Sequence, residues 1–310
     1  MSPSRKASPS PKDWFRAFRL RTLPLASSAM LTGAGLAMHL HPRAGWILTL
    51  SLLTAFLLQI LSNLANDYGD SRHGADNENR LGPERAVQSG RISAAQMQLA
   101  IRITGFLALV SGITLLAVAF APERRWTALL VLLCAGLTAI AAAYRYTAGN
   151  KPYGYQGWGD VSVFLFFGCV GVMGSAYLYA GSWLATSLLP ACWTGLQSTA
   201  VLNLNNLRDH ENDRASGKHT MIARMGFRRG VIYHGIIVMT AGLLMLGYTI
   251  VHPSLVMWLA TACWTLVSVL QTSRLMRVRD YRTIDPELRR TALTTFALAL
   301  LFLLQHQVWS

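Results

Sequence analysis

Two short runs of amides and carboxylates hold most of the chemistry available to this sequence. The first reads Asn66-Asp67-Tyr68-Gly69-Asp70 and continues to Asp76; the second reads Asn205-Asn206-Leu207-Arg208-Asp209 and continues to Asp213. Both contain Asn-x-x-x-Asp, and Asn66 and Asn205 stand 139 residues apart, as do Asp70 and Asp209. In a chain of 310 residues that offset is close to half the length, the mark of a duplicated helical unit. Side chains at i, i+3 and i+4 share one helix face. Asp67 with Asp70, Asn66 with Asp70, and Asp209 with Asp213 can therefore each address a common cavity. Carboxylates stacked at a helix C-terminus oppose the macrodipole, so a cation must offset them. The donors are all oxygen, which suits Mg2+ or Ca2+ rather than zinc. Mg2+ is usually held by one or two carboxylates plus phosphate oxygens, so two acid runs could each deliver a Mg2+ to one diphosphate. The plainer alternative is a set of solvated loop acids paired with nearby arginines.

Basic and aromatic residues surround the acids in sequence. Arg72, Arg208, Lys218, Arg145 and Lys151 lie near the acid runs or at the end of an apolar stretch. A cation so placed could stabilise charge on a leaving diphosphate, or simply meet lipid headgroups. Tyr144 and Tyr146 could turn their rings to a carbocation or anchor the interface. His210 has no partner spacing for metal and reads as a passenger.

The elements that must position these residues are helices in a bilayer. Hydrophobic residues make up 52% of the chain and charged residues 14%, with a mean hydropathy of +0.33. Ordinary soluble proteins carry about 25% charged residues, so a soluble two-domain enzyme and a disordered chain are both excluded. Apolar stretches long enough to span occur nine times: Leu23–Leu40, Ala44–Asn63, Ile103–Ala121, Trp126–Ala143, Val161–Ala180, Trp183–Leu204, Val231–Val251, Ser254–Gln271 and Thr291–Val308. No run alternates as a lipid-facing barrel strand would. Trp46, Trp126, Trp183, Trp258 and Trp309 fall towards span ends, as interface anchors do.

Of the 28 Lys and Arg, 24 fall on one side of these spans; Arg43, Arg124 and Arg125 fall on the other, and Arg102 lies at the start of the third. All acids but Glu123 share the basic side. The positive-inside rule then predicts a cytoplasmic N-terminus and acid runs, with the C-terminus outside. The net charge of +14 describes that one face and its attraction to anionic lipid. No aromatic–basic interleaving points to nucleic acid. Cys134, Cys169, Cys192 and Cys263 lie singly in apolar runs and read as small hydrophobes, which also excludes a disulfide-stapled module. Ser2–Lys12 is a Ser/Pro/Lys segment with no apolar run behind it, unlike a secretory signal. The expected organisation is a disordered basic tail over 1–18 and one intramembrane unit over 19–310.

These motifs resemble those of the UbiA-type intramembrane prenyltransferases. Asn66–Asp70, continuing to Gly74 and Asp76, resembles the family's first aspartate motif, and Asn205–Thr220 the second. Tyr146–Tyr155 with Gly159-Asp160 resembles the linking tyrosine/lysine segment, although Lys151 stands five residues after Tyr146 instead of four. Arg19–Pro24 is similar to the family's approach to its first helix. A third aspartate at Asp76, six residues after Asp70, with Gly74 in between, resembles the branch that prenylates 1,4-dihydroxy-2-naphthoate in quinone biosynthesis.

The resemblance implies an all-α integral membrane protein, a nine-helix bundle with a lipid-open cavity and cytoplasmic cap loops, in a bacterial inner membrane. It implies Mg2+ as cofactor, with polyprenyl diphosphate and dihydroxynaphthoate as substrates. Asn66, Asp67, Asp70, Asp76, Asp209 and Asp213 would be the metal ligands. Asp70, Asp76, Asp209, Asp213 and Lys151 would serve catalysis. Asn66, Arg72, Tyr146, Asn205, Asn206, Arg208, Lys218 and Arg19 would bind substrate. Prenylation of another aromatic quinone precursor, a secondary transporter and a lipid-binding scaffold remain alternatives. A transporter would place its acids near the bilayer midplane on broken helices rather than at helix ends.

Overall fold

Long apolar stretches have one way to satisfy their backbone without water, and the chain takes it. The structure, a computed structural model, describes residues 9–77, 80–121 and 125–308, with side chains as far as 306. The residues before position 9, together with Glu123, Arg124 and Trp309, lie outside the described residues. Among the described residues every regular element is helical. The helices are α1 (Pro11–Phe18), α2 (Leu23–Ala37), α3 (Ala44–Arg72), α4 (Ala94–Phe120), α5 (Trp126–Arg145), α6 (Gly159–Val163), α7 (Gly174–Ala180), α8 (Leu188–Ala215), α9 (Met221–Met225), α10 (Phe227–Val251), α11 (Leu255–Leu275) and α12 (Asp285–Val308). A π-helical stretch, Phe164–Met173, joins α6 to α7 in one continuous rod.

Seven of these segments are long and apolar enough to cross a membrane: Pro11–Leu40, Ala44–Arg72, Ala94–Phe120, Trp126–Arg145, Gly159–Ala180, Phe227–Val251 and Leu255–Leu275. Their outer faces leave large side chains such as Leu130, Leu243 and Leu259 exposed, as a lipid-facing surface does. The other two expected spans correspond to α8 and α12, which fall outside that set of seven. In α8 the cause is a polar face of Gln197, Ser198, Thr199, Asn203 and Asn206, all buried within the bundle. In α12 it is the charged first turns, with Asp285, Glu287, Arg289 and Arg290.

The disorder expected over 1–18 is corrected from Pro11 onward. Ser10 and Asp13 form a reciprocal capping box on α1, with Pro11 in the first turn. Trp14, Ala17 and Phe18 then pack with Leu61, Leu64 and Ile92. An amphipathic segment with a cap and a core to join has no reason to stay unfolded.

Two glycines set the closest crossing in the bundle. A Cβ on Gly168, in the π-helical stretch, would lie 2.5 Å from the Ala191 carbonyl, and one on Gly195 would lie 2.8 Å from the Phe164 carbonyl. Only residues without side chains allow this rod to lie against α8, and α8 holds the second acid run.

Candidate active site

The acid runs sit where α3 and α8 end. Asp70 lies in the last turn of α3, and Asp209 and Asp213 in the last two turns of α8. Three cap segments lie beside them: residues 73–77 with 80–93 after α3, 146–158 after α5, and 216–226 after α8. Gly69 lets the second segment approach, since a Cβ there would overlap the Thr147 carbonyl. Asp70, Asp76, Asp209 and Asp213 are all buried, between 3% and 6% exposed. Charged groups at that depth require partners or a ligand.

Asp70 receives two groups on one oxygen. Tyr155 Oη donates to its Oδ1 at 2.8 Å and Lys218 Nζ donates to the same atom at 3.3 Å. The lysine also lies over the Tyr155 ring, 5.2 Å from its centroid, so all three caps meet at this carboxylate. Arg85 Nη2 stands 3.7 Å from Asp70 Oδ2. Asp76 takes Arg80 Nε at 3.1 Å and Arg85 Nε at 3.3 Å, both at Oδ1. Arg80 also reaches Asp209 Oδ2 at 3.5 Å. The two acid runs are therefore joined through arginine side chains.

Burial pushes the Asp76 carboxyl up to about 8, and the neighbouring Asp70 charge adds to it. Burial likewise pushes Asp213 up to about 7. At Lys218 burial opposes the charge, but Asp70 and Asp213 outweigh it and hold the ammonium above the usual lysine value.

The donor set fits a hard divalent cation. Among the described residues, Asp76 Oδ2 and Asn212 Oδ1 are buried oxygens without a hydrogen-bond partner. Asn212 donates from Nδ2 to the Ala75 carbonyl at 2.8 Å, which ties it to the residue before Asp76. Among the described residues no three His, Cys, Asp or Glu side chains converge as a complete cage. Mg2+ needs none, since it keeps waters and borrows phosphate oxygens.

Several residues expected at the site do other work. Asp67 accepts the Val87 N–H at Oδ1 and the Ala86 N–H at Oδ2, both at 3.0 Å, so it anchors the first cap. Arg72 is exposed and turns to Tyr68, donating to its Oη at 3.3 Å, away from the acids. Lys151 is exposed with Tyr144 and Arg145 on a cavity of about 630 Å³ at the end of α5, and Lys218 stands at the acids instead. Arg208 is 1% exposed and enclosed by protein. Its Nε and Nη2 fork onto Asp209 at 2.8 and 2.7 Å, Nη2 also meets Asn205 Oδ1 at 2.8 Å, and Nη1 meets Asp285 Oδ1 at 2.5 Å. That leaves little of its fork for a substrate.

The remaining expected residues lie around the acids. Asn66 Oδ1 accepts from Thr147 Oγ1 at 2.9 Å. Asn206 is buried on α8, one turn before Asp209. Tyr146 packs edge-on to Tyr153, with ring centroids 5.4 Å apart. Arg19 adopts a left-handed backbone, φ 49°, and its Nη2 is buried without a hydrogen-bond partner, with Asp67, Asp70 and Asp76 as electrostatic neighbours. That conformation costs about 1–2 kcal/mol for a residue with a Cβ. His210 packs between Phe227 and Tyr281. Arg80, Arg85, Tyr155 and Asn212 carry no assignment from the sequence. The signal for Arg80 was its i+4 spacing from Asp76, hidden among charges that also fit the topology rule.

Buried acids at the ends of membrane helices, under basic caps, define the class of protein, and the family comparison agrees. Residues 26–301 match the UbiA prenyltransferase family, and the chain belongs to it as a multi-pass membrane protein. It is similar to the 1,4-dihydroxy-2-naphthoate octaprenyltransferase of Escherichia coli K12, 42% identical over 295 residues and 94% of each chain. The protein of that name from Haemophilus influenzae is 42% identical over 241 residues, 77% of each chain. That of Mycobacterium tuberculosis is 36% identical, covering 93% of this chain and 94% of its own. The fold is shared with a UbiA homolog from Archaeoglobus fulgidus bound to GPP and Mg2+, at a TM-score of 0.63 and 14% identity, covering 94% of this chain and 99% of that one. A UbiA homolog from Aeropyrum pernix K1 gives 0.65 at 17% identity, covering 90% and 96%.

Proposed function

We propose that this chain transfers a polyprenyl group from polyprenyl diphosphate to 1,4-dihydroxy-2-naphthoate, with loss of carbon dioxide and diphosphate, giving demethylmenaquinone. The observation that carries the reading is the meeting of two acid runs beside the cations Lys218, Arg80 and Arg19, which come from three separate segments of the chain. The relatives at 36–42% identity support the acceptor.

In this reading Asp70, Asp76, Asp209 and Asp213 hold Mg2+, with Asn66 and Asn212 as neutral oxygen donors. The metal, when bound, offsets the negative charge on the leaving diphosphate. Lys218 donates to diphosphate oxygens as the allylic C–O bond lengthens, a charge stabilisation that the fixed Tyr155–Asp70 contact aligns. Arg19, already strained and unpartnered, adds a second cation. The Tyr146 ring faces the allylic cation, and the apolar bundle below excludes water from it. The electron-rich ring attacks through its carboxyl-bearing carbon, and carbon dioxide leaves.

The finer topology belongs to the same proposal. Nine helices cross a bacterial inner membrane, α8 and α12 among them, as one unit with the acid runs on the cytoplasmic side. Product mass spectrometry on purified protein given dihydroxynaphthoate and a mixture of prenyl diphosphates tests the function. A decarboxylated prenyl-naphthoquinol is expected, and its absence, with prenylated 4-hydroxybenzoate formed in a parallel reaction given that acceptor instead, would overturn the acceptor assignment.

A further inference from the structure

Three arginines touch the acid runs, and they are not held alike. Arg208 is locked by the bidentate fork onto Asp209, with Asp285 and Asn205 on its remaining donors. Arg85 is buried against Asp76 and Asp70. Arg80 is different. It shares Asp76 Oδ1 with Arg85, and shares Asp209 Oδ2 with Arg208, at 3.5 Å against 2.7 Å for the latter. Its shortest bond, Nη1 to the Pro83 carbonyl at 2.7 Å, is to its own loop. Gly82 presses on the head, where a Cβ would lie 2.9 Å from Arg80 Nη2. On the other side, Arg80 borders a cavity of about 190 Å³ with Asn77, Gly82, Pro83, Glu84 and Gln88.

We propose that Arg80 is an exchangeable counter-ion, which staples Asp76 to Asp209 until metal and diphosphate arrive and then transfers its guanidinium to the diphosphate. The inference rests on the reading that these acids hold a metal–diphosphate pair. A divalent cation on Asp76 or Asp209 repels a guanidinium held by the same carboxylate, which weakens the hold of that guanidinium. The guanidinium is the mobile one, because both acid oxygens it touches are shared with another arginine, its hold on Asp209 is the weaker of the two there, and the loop bond to Pro83 can persist. The incoming diphosphate offers the planar, bidentate acceptor that an arginine fork matches. Metal alone must then evict Arg80 with no compensation, whereas metal with diphosphate gives it a new partner. By linkage the two ligands bind cooperatively, and Arg80 is the source of the coupling.

The experiment uses the full chain in nanodiscs of neutral lipid, with Mn2+ binding followed by electron paramagnetic resonance, alone and with inorganic diphosphate. Arg80→Gln is expected to bind Mn2+ alone about 10-fold more tightly than wild type and to lose about 10-fold of the tightening that diphosphate produces, within the usual span of coupling factors. Arg80→Lys keeps the charge without the fork, so its Mn2+ affinity stays near wild type while the coupling falls. If Arg80→Gln does not fold, the lysine variant decides on the coupling alone. Unchanged Mn2+ affinity and unchanged coupling in the folded variants would make Arg80 a fixed brace and overturn the proposal. Wild-type protein that binds no Mn2+ even with diphosphate would instead overturn the metal–diphosphate reading itself.

Discussion

Replacing Arg208 by lysine asks whether this guanidinium braces the second acid run or grips the substrate. The side chain is 1% exposed, and its fork occupies both oxygens of Asp209 at 2.8 and 2.7 Å. An ammonium can keep one of those bonds but not both, and a lost hydrogen bond to a charged group costs about 1.5–3 kcal/mol. The contact to Asp285 adds less, because that carboxylate is 33% exposed and screened, within the ~0–1 kcal/mol of surface pairs. Losing Asn205 brings the total to about 3 kcal/mol by the same hydrogen-bond scale. At roughly 2 °C per kcal/mol for a chain of this size, Arg208→Lys should lower the Tm by about 5 °C. Arg208→Met strands a buried carboxylate and should cost more, about 3–5 kcal/mol. Lys218→Met is the contrast, since Lys218 makes one 3.3 Å bond to Asp70 and is expected to keep its Tm while losing diphosphate affinity. Tryptophan fluorescence on heating, beside initial rates over a range of prenyl diphosphate, measures both. A wild-type Tm for Arg208→Lys with a rate loss matching Lys218→Met would refute the brace and return Arg208 to the substrate.

The other expectations are simpler to check. Asp70→Asn and Asp209→Asn should each abolish turnover in a folded, membrane-inserted protein; wild-type rates from both, or full activity of the parent in excess chelator, would end the metal reading. Asp67→Asn should lower stability by about 1–3 kcal/mol, since an amide cannot accept both backbone N–H groups of the cap, while the Mg2+ midpoint of the rate stays put. A shifted midpoint with unchanged stability would restore Asp67 to the ligands. A reporter fused to the C-terminus should be active only outside the cytoplasm, and cytoplasmic activity would refute the orientation.

What the sequence revealed follows from what is local. The apolar stretches and the matched Asn-x-x-x-Asp runs are local patterns, and Asp70, Asp209 and Asp213 are at the ends of α3 and α8, while Asp76 follows four residues after α3. The α8 stripe could be followed in the same way, because Thr199, Asn203, Asn206 and Asp213 recur at helical spacing and are buried together. The same helical geometry bears on Arg72. Arg72 is two residues from Asp70, about 200° around a helix, so it could not share the acid face. The structure turns it to Tyr68 on the far side.

The remaining assignments depended on where loops go, and no periodicity fixes that. Asp67 lies on the helix face that its spacing indicates, but the first cap returns nineteen and twenty residues later to offer it two N–H groups, at Ala86 and Val87. A carboxylate with both oxygens so used is held in place by the cap backbone. Lys151 and Lys218 are both cap lysines, indistinguishable by type. The backbone bond from His219 N–H to the Tyr155 carbonyl, 3.0 Å long, and the Arg224 Nη2 bond to the Gln156 carbonyl, 2.9 Å long, draw the third cap onto the second and set Lys218 over Asp70. Arg80 shows the same limit from the other side. Its charge counts towards the topology rule as well as any lysine's would, yet its position between Asp76 and Asp209 makes it the link between two halves that the duplicated motif could only place side by side. The duplication therefore supplies the acids in pairs, and the unduplicated caps decide which cation each pair meets.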